Sequence, residues 1–267
     1  MGRINAFKAL TPTPADAARD IDLINQFSMK TLSPEDVFCF SVLLCDNEVD
    51  RDMEYFSGTS LDKLATLFQG KPVLLDHRWS AEKQTARLYR CEVVDLDGTT
   101  LLGTQKKGIR GSAYMLKTED TASIIEAIEG GILKEVSVGC AMGARTCSAC
   151  GKDMHYNWMT GKSICGDGHV AGETYDGKLC AAELSDPMDA YELSFVAVPA
   201  QRGAGVTKGL DDPTELIQAV KTADLSMVPA ADLKALAQRC QMALAADAER
   251  TERARIIAEN KKFLEVK

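Results

Sequence analysis

Apolar and polar positions change period several times along the chain, and each change marks an element. Val37 to Leu44 is an unbroken run of β-forming residues, followed by the polar stretch Asp46 to Asp52, which is the pattern of a buried strand and a turn. Leu61, Leu64, Ala65, Leu67 and Phe68 recur at helical spacing until Gly70 and Pro72 stop the helix. A short strand, Pro72 to Leu75, then ends on Asp76 and His77. Ala86 to Asp95 and Ile109 to Leu116 predict further strands. Thr121 to Glu129 predicts a helix with Ile124, Ile125 and Ile128 on one side and Gly130-Gly131 at its end. Two alternating strands come next, Glu135 to Gly139 and Glu192 to Val198, the second stopped by Pro199.

These elements predict an α+β fold, mainly β, in three parts. Residues 1–34 form an N-terminal extension, with Pro12, Pro14 and one short helix from Asp16 to Asn25. Residues 35–206 form the main domain, interrupted by a Gly- and Cys-rich insert at 145–182. Residues 207–267 form a C-terminal helical arm, with a short helix from Asp211 to Lys221 and a long amphipathic one from Ala230 to about Leu264. The apolar stripe of the long helix, Leu233, Leu236, Cys240 and Leu244, fits packing on its own domain or self-association and assembly docking.

The composition narrows the function classes. Hydrophobic residues make up 45% and charged residues 26% of the 267, the balance of a folded globular protein. A formal net charge of -8 without a basic patch predicts no nucleic-acid partner. No apolar run reaches the ~20 residues of a membrane span. The start of the chain lacks a signal-peptide core and a myristoylation pattern, so the expected location is cytoplasmic.

Nine cysteines in such a protein predict thiols or a metal site rather than a disulfide framework. Cys39, Cys45, Cys91 and Cys140 lie in apolar runs and read as small core residues. The insert differs, because Cys147-x-x-Cys150 and Cys165-x-x-x-His169 are two paired ligand sets on short turns. Three thiolates and one imidazole complete a tetrahedral Zn2+ site, one per chain and structural, since four protein ligands leave no position for water. Cys180 is the alternative to His169. Tyr156, Trp158 and Tyr175 interleave with the ligands, either as a small core around the metal or as a recognition surface.

Outside the insert the chain has one histidine, His77, as a candidate general base. Ser137, between two valines and two residues before Gly139, is a candidate nucleophile, and Gly139 permits a close approach to the strand. A serine base needs a third group to hold its tautomer. Glu192, Asp189 and Asp76 are the acidic candidates. Cys140 falls on the opposite strand face from Ser137, which counts against a thiol enzyme.

Four segments in order resemble the capsid-maturation (prohead) proteases of tailed bacteriophages. They are Asp50-Arg-Asp-x-Glu54, Asp76-His77 after an apolar strand, Val136-Ser137-Val138-Gly139, and Glu192-Leu-Ser-Phe-Val-Ala-Val-Pro-Ala200. The resemblance spans about residues 35 to 205. It implies a closed or nearly closed β-barrel core with surrounding helices, as in the herpesvirus assembly proteases, here with a zinc-ribbon-like insert. It further implies a serine endopeptidase with His77 as base, Ser137 as nucleophile, Glu192 as third member and oxyanion donors near Ala200 to Arg202. Capsid and scaffold proteins, and the chain itself, would be its substrates within assembling procapsids in the bacterial host cytoplasm. The alternative is a non-enzymatic, zinc-stabilised capsid assembly or scaffold module.

Overall fold

The computed structural model describes residues 17–207. The expected C-terminal helices at 211–221 and 230–264, and the segment around Pro12 and Pro14, fall outside the described residues. The chain divides into two compact units, and the one from Pro14 to Thr207 contains everything described below. This unit begins earlier than the boundary expected at residue 34. Helix α1 (Ala17–Asn25) packs into it through Ile24, buried with Leu32, Val37, Tyr89 and Tyr114.

The unit is mainly strand. Its elements after α1 are β1 (Val37–Asp46), β2 (Glu54–Phe56), α2 (Ser60–Phe68), β3 (Pro72–Leu75), β4 (Ala86–Thr99), β5 (Gln105–Leu116), α3 (Glu119–Glu129) and β6 (Val136–Cys147). The insert adds β7 (Met154–Asn157), β8 (Lys162–Cys165), β9 (Thr174–Tyr175) and β10 (Lys178–Leu179), and the chain returns through β11 (Ala182–Phe195) and β12 (Gly205–Thr207). Eight strands make one sheet in the order β12-β1-β5-β4-β3-β11-β2, with β6 also paired to β11. No continuous ladder closes the sheet. Its far ends meet in a few hydrogen bonds, namely Val206 N–H to Lys134 O at 2.7 Å and an isolated bridge between Glu135 and Gly205.

The core forms on one face of this sheet. Leu61, Leu64, Ala65 and Phe68 of α2, one stripe at helical spacing, pack with Val42, Leu44, Leu88, Ile109, Val136, Leu193 and Phe195. Cys45 is buried in that core, Cys91 and Cys140 pack against it, and Cys39 packs on the cluster around Ile24, as the apolar setting of these cysteines predicted. Among the described residues no helix is long and apolar enough to cross a membrane.

Strand β11 departs most from expectation. It begins at Ala182, ten positions before Glu192, and stops at Phe195, so Val196 to Val198 are not strand. Strand β6 is extended correspondingly, to Cys147. The two form one long antiparallel ladder from Phe195↔Val136 to Ala182↔Cys147, broken by register shifts at Met188 and Tyr191. On its other side β11 pairs in parallel with β2 at one end and β3 at the other. The bulge at Tyr191 changes which residues face the core: Ala190 faces it, and beyond the bulge so do Leu193 and Phe195, whereas Glu192 and Ser194 face the opposite side.

Candidate functional site

The end of β3 places His77. Leu75 pairs with Phe195, and the chain then turns sharply, with both Asp76 (φ 55°) and His77 (φ 51°) in the left-handed region. Non-glycine residues rarely adopt that conformation unless their surroundings hold them. Here the Asp76 N–H donates to Phe195 O at 2.9 Å, and the His77 N–H donates to the Ser194 hydroxyl at 3.1 Å. The imidazole comes to lie beside the far face of β11.

On that face Glu192 is 2% exposed. One carboxylate oxygen, Oε1, is 2.8 Å from His77 Nδ1, and the other, Oε2, accepts a 2.5 Å hydrogen bond from Ser194 Oγ. With the carboxylate ionised, Nδ1 carries the proton and Nε2 is left as an acceptor. Asp189 is not part of this arrangement. It pairs with Lys71 Nζ at 3.2 Å and is half exposed, so of the three acidic candidates Glu192 is the one bonded to the histidine.

Ser137 lies directly across the ladder from Ser194, and Gly139 directly across from Glu192. Cross-strand partners have Cβ atoms roughly 4.5–5.5 Å apart, so Ser137 neighbours the serine that holds both His77 and Glu192. Gly139 has its own role. A Cβ there would collide with Glu192 Oε1. The group that makes the close approach to this glycine is therefore the protein's own carboxylate.

Ser137 and Gly139 border a cleft of about 390 Å³, lined also by Asp50, Glu54, Arg145 and the loop residues Ala200 and Gln201. That loop is fastened at two points. Gln201 is buried and bonds the Asp46 backbone twice, at 2.6 and 2.8 Å, while the Arg51 N–H and side chain donate to Ala200 O and Pro199 O, each at 3.1 Å. Among the described residues the amides of Ala200 and Gln201 donate to no other group. Arg202 is exposed. Asp50 anchors the opposite wall, its carboxylate accepting from the amides of Asp52 and Glu54 at 2.9 Å each. Burial outweighs those bonds and raises its pKa to about 6. Cys140 faces the core, and burial pushes its thiol up to about 11, which leaves it unreactive.

The insert begins where the ladder ends. Cys147 closes β6, and Gly151 (φ 74°) lets the chain turn so that its N–H reaches Cys147 O at 2.7 Å with Cys150 on the turn. Cys165 and His169 occupy a second turn, where the Gly168 N–H donates to Cys165 O at 2.9 Å. The ligand atoms of Cys147, Cys150, Cys165 and His169 all lie within 4.8 Å of one another, so this group could hold a metal ion. Cys147–Cys180 and Cys150–Cys165 are each 3.6 Å between sulfurs, and Cys147 Sγ is 3.7 Å from His169 Nδ1. A tetrahedral site with metal–sulfur bonds of about 2.3 Å needs sulfurs roughly 3.8 Å apart. Cys180 is fully buried and its sulfur reaches Cys147, but it is not one of the four mutually close donors. Burial pushes the Cys147 thiol up, but the amides of Ala149 and Cys150, aided by His169 and Cys180, outweigh it and hold the pKa at about 6. The aromatic residues divide: the Tyr175 ring lies tilted against His169, centroids 4.3 Å apart, whereas Tyr156 and Trp158 are exposed.

Two contributors were not singled out from the sequence. Ser194 had a signal, its period-two spacing from Glu192 in a strand. Arg145, ion-paired with Glu54, had none, because its partner lies far away in the chain. No protein-family model matches the chain, and no curated protein matches it.

Two outcomes are expected. Gly139→Ala lowers stability in urea by about 1–3 kcal/mol, because the Glu192 carboxylate must move, whereas Gly58→Ala, with open space at its Cβ, changes it by under about 0.5 kcal/mol. Between pH 4 and 6 the folded state holds a proton on Asp50 that the unfolded chain releases, so this group adds stability as pH falls from 7 to 5. Asp50→Asn keeps the acceptor for both amides and removes that increment. Urea midpoints of both proteins at pH 7 and pH 5 measure the difference.

Proposed function

We propose that the protein is a serine endopeptidase of the prohead protease type. The observation that carries this reading is the buried Glu192 carboxylate on His77 Nδ1, with Ser137 directly across the ladder from Ser194, the residue that bonds both. A hydroxyl nucleophile requires an oriented imidazole whose second nitrogen can take its proton, and in this reading His77 Nε2 serves Ser137.

In this mechanism Ser137 Oγ attacks the scissile carbonyl carbon as His77 Nε2 takes its proton. Glu192 stabilises the resulting imidazolium through Nδ1–H, and Ser194 fixes the carboxylate. The unbonded amides at Ala200 and Gln201, on the cleft that Ser137 borders, receive the oxyanion. His77 then protonates the leaving amine, and water releases the acyl group by the reverse transfers. Capsid and scaffold proteins, and the chain itself, are the substrates, within procapsids in the bacterial host cytoplasm. The core is read as a nearly closed barrel, supported by the Glu135–Gly205 bridge between its ends. The insert holds one structural zinc ion on Cys147, Cys150, Cys165 and His169 or Cys180, supported by the sulfur-rich donor set and its spacings. It supplies folding free energy and takes no part in the acyl transfer.

Co-expression with the cognate capsid and scaffold proteins tests the chemistry. Ser137→Ala and His77→Ala are each expected to reduce cleavage by roughly 10⁴-fold or more, and Glu192→Gln by less than either. Wild-type processing by the Ser137→Ala variant would leave the assembly-module reading instead. For the metal, elemental analysis of purified protein should give one zinc per chain. Chelation should unfold the insert and lower the melting temperature, and a metal-free chain with unchanged melting would remove the assignment.

A further inference from the structure

The cleft beside Ser137 does not end at the β sheet. A second cleft of about 570 Å³ lies between the sheet and the insert, lined by Arg51, Asp52, Glu54, Arg145, Tyr156 and Lys162 among others. The two share Asp52, Glu54 and Arg145, so they adjoin at the Glu54–Arg145 ion pair. The two clefts differ in charge. The one beside Ser137 holds the carboxylates of Asp50, Asp52 and Glu54 against the single guanidinium of Arg145. The one beside the insert holds Arg51, Arg145 and Lys162 against Asp52 and Glu54. Tyr156 forms part of the insert's wall and is backed edge-on by Trp158 at 4.8 Å. Trp158 and Met159 are 88% and 96% exposed, so the turn joining β7 to β8 carries exposed apolar side chains next to Tyr156.

We propose that the metal insert forms the outer wall of a groove for an extended polypeptide, with a cationic side chain beside Ser137 and an apolar side chain on Tyr156. This deepens the protease reading and rests on it, since the polypeptide is the substrate. Charge complementarity selects the occupant. Excess carboxylate beside the scissile bond favours Lys or Arg there and penalises Glu or Asp, while the aromatic pair on the insert supplies contact area at low entropic cost. The insert thereby adds substrate recognition to its structural role.

The test uses the full-length, metal-loaded Ser137→Ala protein and fluorescein-labelled decapeptides on a Gly-Ser-Ala scaffold. These carry Lys or Glu at the centre and Leu or Ser four positions to either side. The Lys/Leu peptide is expected to bind at least about 10-fold tighter than the Glu/Ser peptide. Asp52→Asn, at an exposed position, should reduce the Lys-over-Glu ratio, and Tyr156→Ala should remove the preference for Leu while leaving the charge preference intact. Circular dichroism confirms that both variants fold. Equal affinity for all peptides, no binding to any, or a Leu preference that survives Tyr156→Ala would each overturn the proposal. Cleavage by the wild-type protein is read separately. Cleavage of all peptides at one rate would sink the groove and leave the chemistry standing, and ranked binding without cleavage would sink the chemistry and leave the groove.

Discussion

A carboxylate sealed inside a protein costs several kcal/mol unless each of its oxygens finds a donor. Glu192 meets that condition with one donor per oxygen, His77 Nδ1 and Ser194 Oγ, and the rest of the site follows from it. Strand β11 must present Glu192 and Ser194 to one side while Leu193 and Phe195 enter the core, and the bulge at Tyr191 sets that alternation. Strand β6 must have no side chain opposite the carboxylate, hence Gly139. Strand β3 must stop where its next residues can turn back onto β11. Three strands from distant parts of the chain are thus adjacent for one reason.

The same ladder connects the site to the metal cluster. Cys147 is the last residue of β6, and Cys180 lies two residues before β11, with their sulfurs 3.6 Å apart. The insert is therefore not a separate appendage hung from a loop. Its cysteines sit at the ends of the two strands whose other ends carry Ser137 and Glu192. A turn as tight as Asp176-Gly177, both residues in the left-handed region, joins β9 to β10 and returns the chain to that junction. So short a hairpin has little apolar surface of its own, and the cluster of sulfurs supplies the buried centre it packs around.

Much of this was legible in the sequence, for physical reasons that differ between residues. The helix over Ser60–Phe68 and the strands at Val37, Pro72 and Ile109 are local patterns of burial, and periodicity reports burial directly. The paired cysteines are legible because a turn between two ligands leaves a fixed spacing. The length of β6 and β11 was not, because their insert-side halves carry Gly143, Arg145, Ser185 and Asp186. Residues like these are tolerated there by pairing with a partner strand rather than by burial in the core. Choosing Glu192 over Asp189 needed the register, since one bulge decides which carboxylate faces the histidine. Whether His169 or Cys180 completes the metal set was open in the sequence, and the geometry brings both to the cluster.

The turn at Asp76 and His77 shows how a site can be held through the hydrogen bonds of its main-chain amides. Two successive residues with side chains in the left-handed region cost roughly 1–2 kcal/mol each, and neither is a glycine that would relieve the cost. What offsets it is that the turn's three amides are all bonded: Asp76 to Phe195 O, His77 to Ser194 Oγ and Arg78 to Leu75 O. The position of the histidine is thereby fixed by its main chain. The imidazole does not need to be packed in place: it keeps 41% of its side chain exposed and is held at Nδ1 by Glu192.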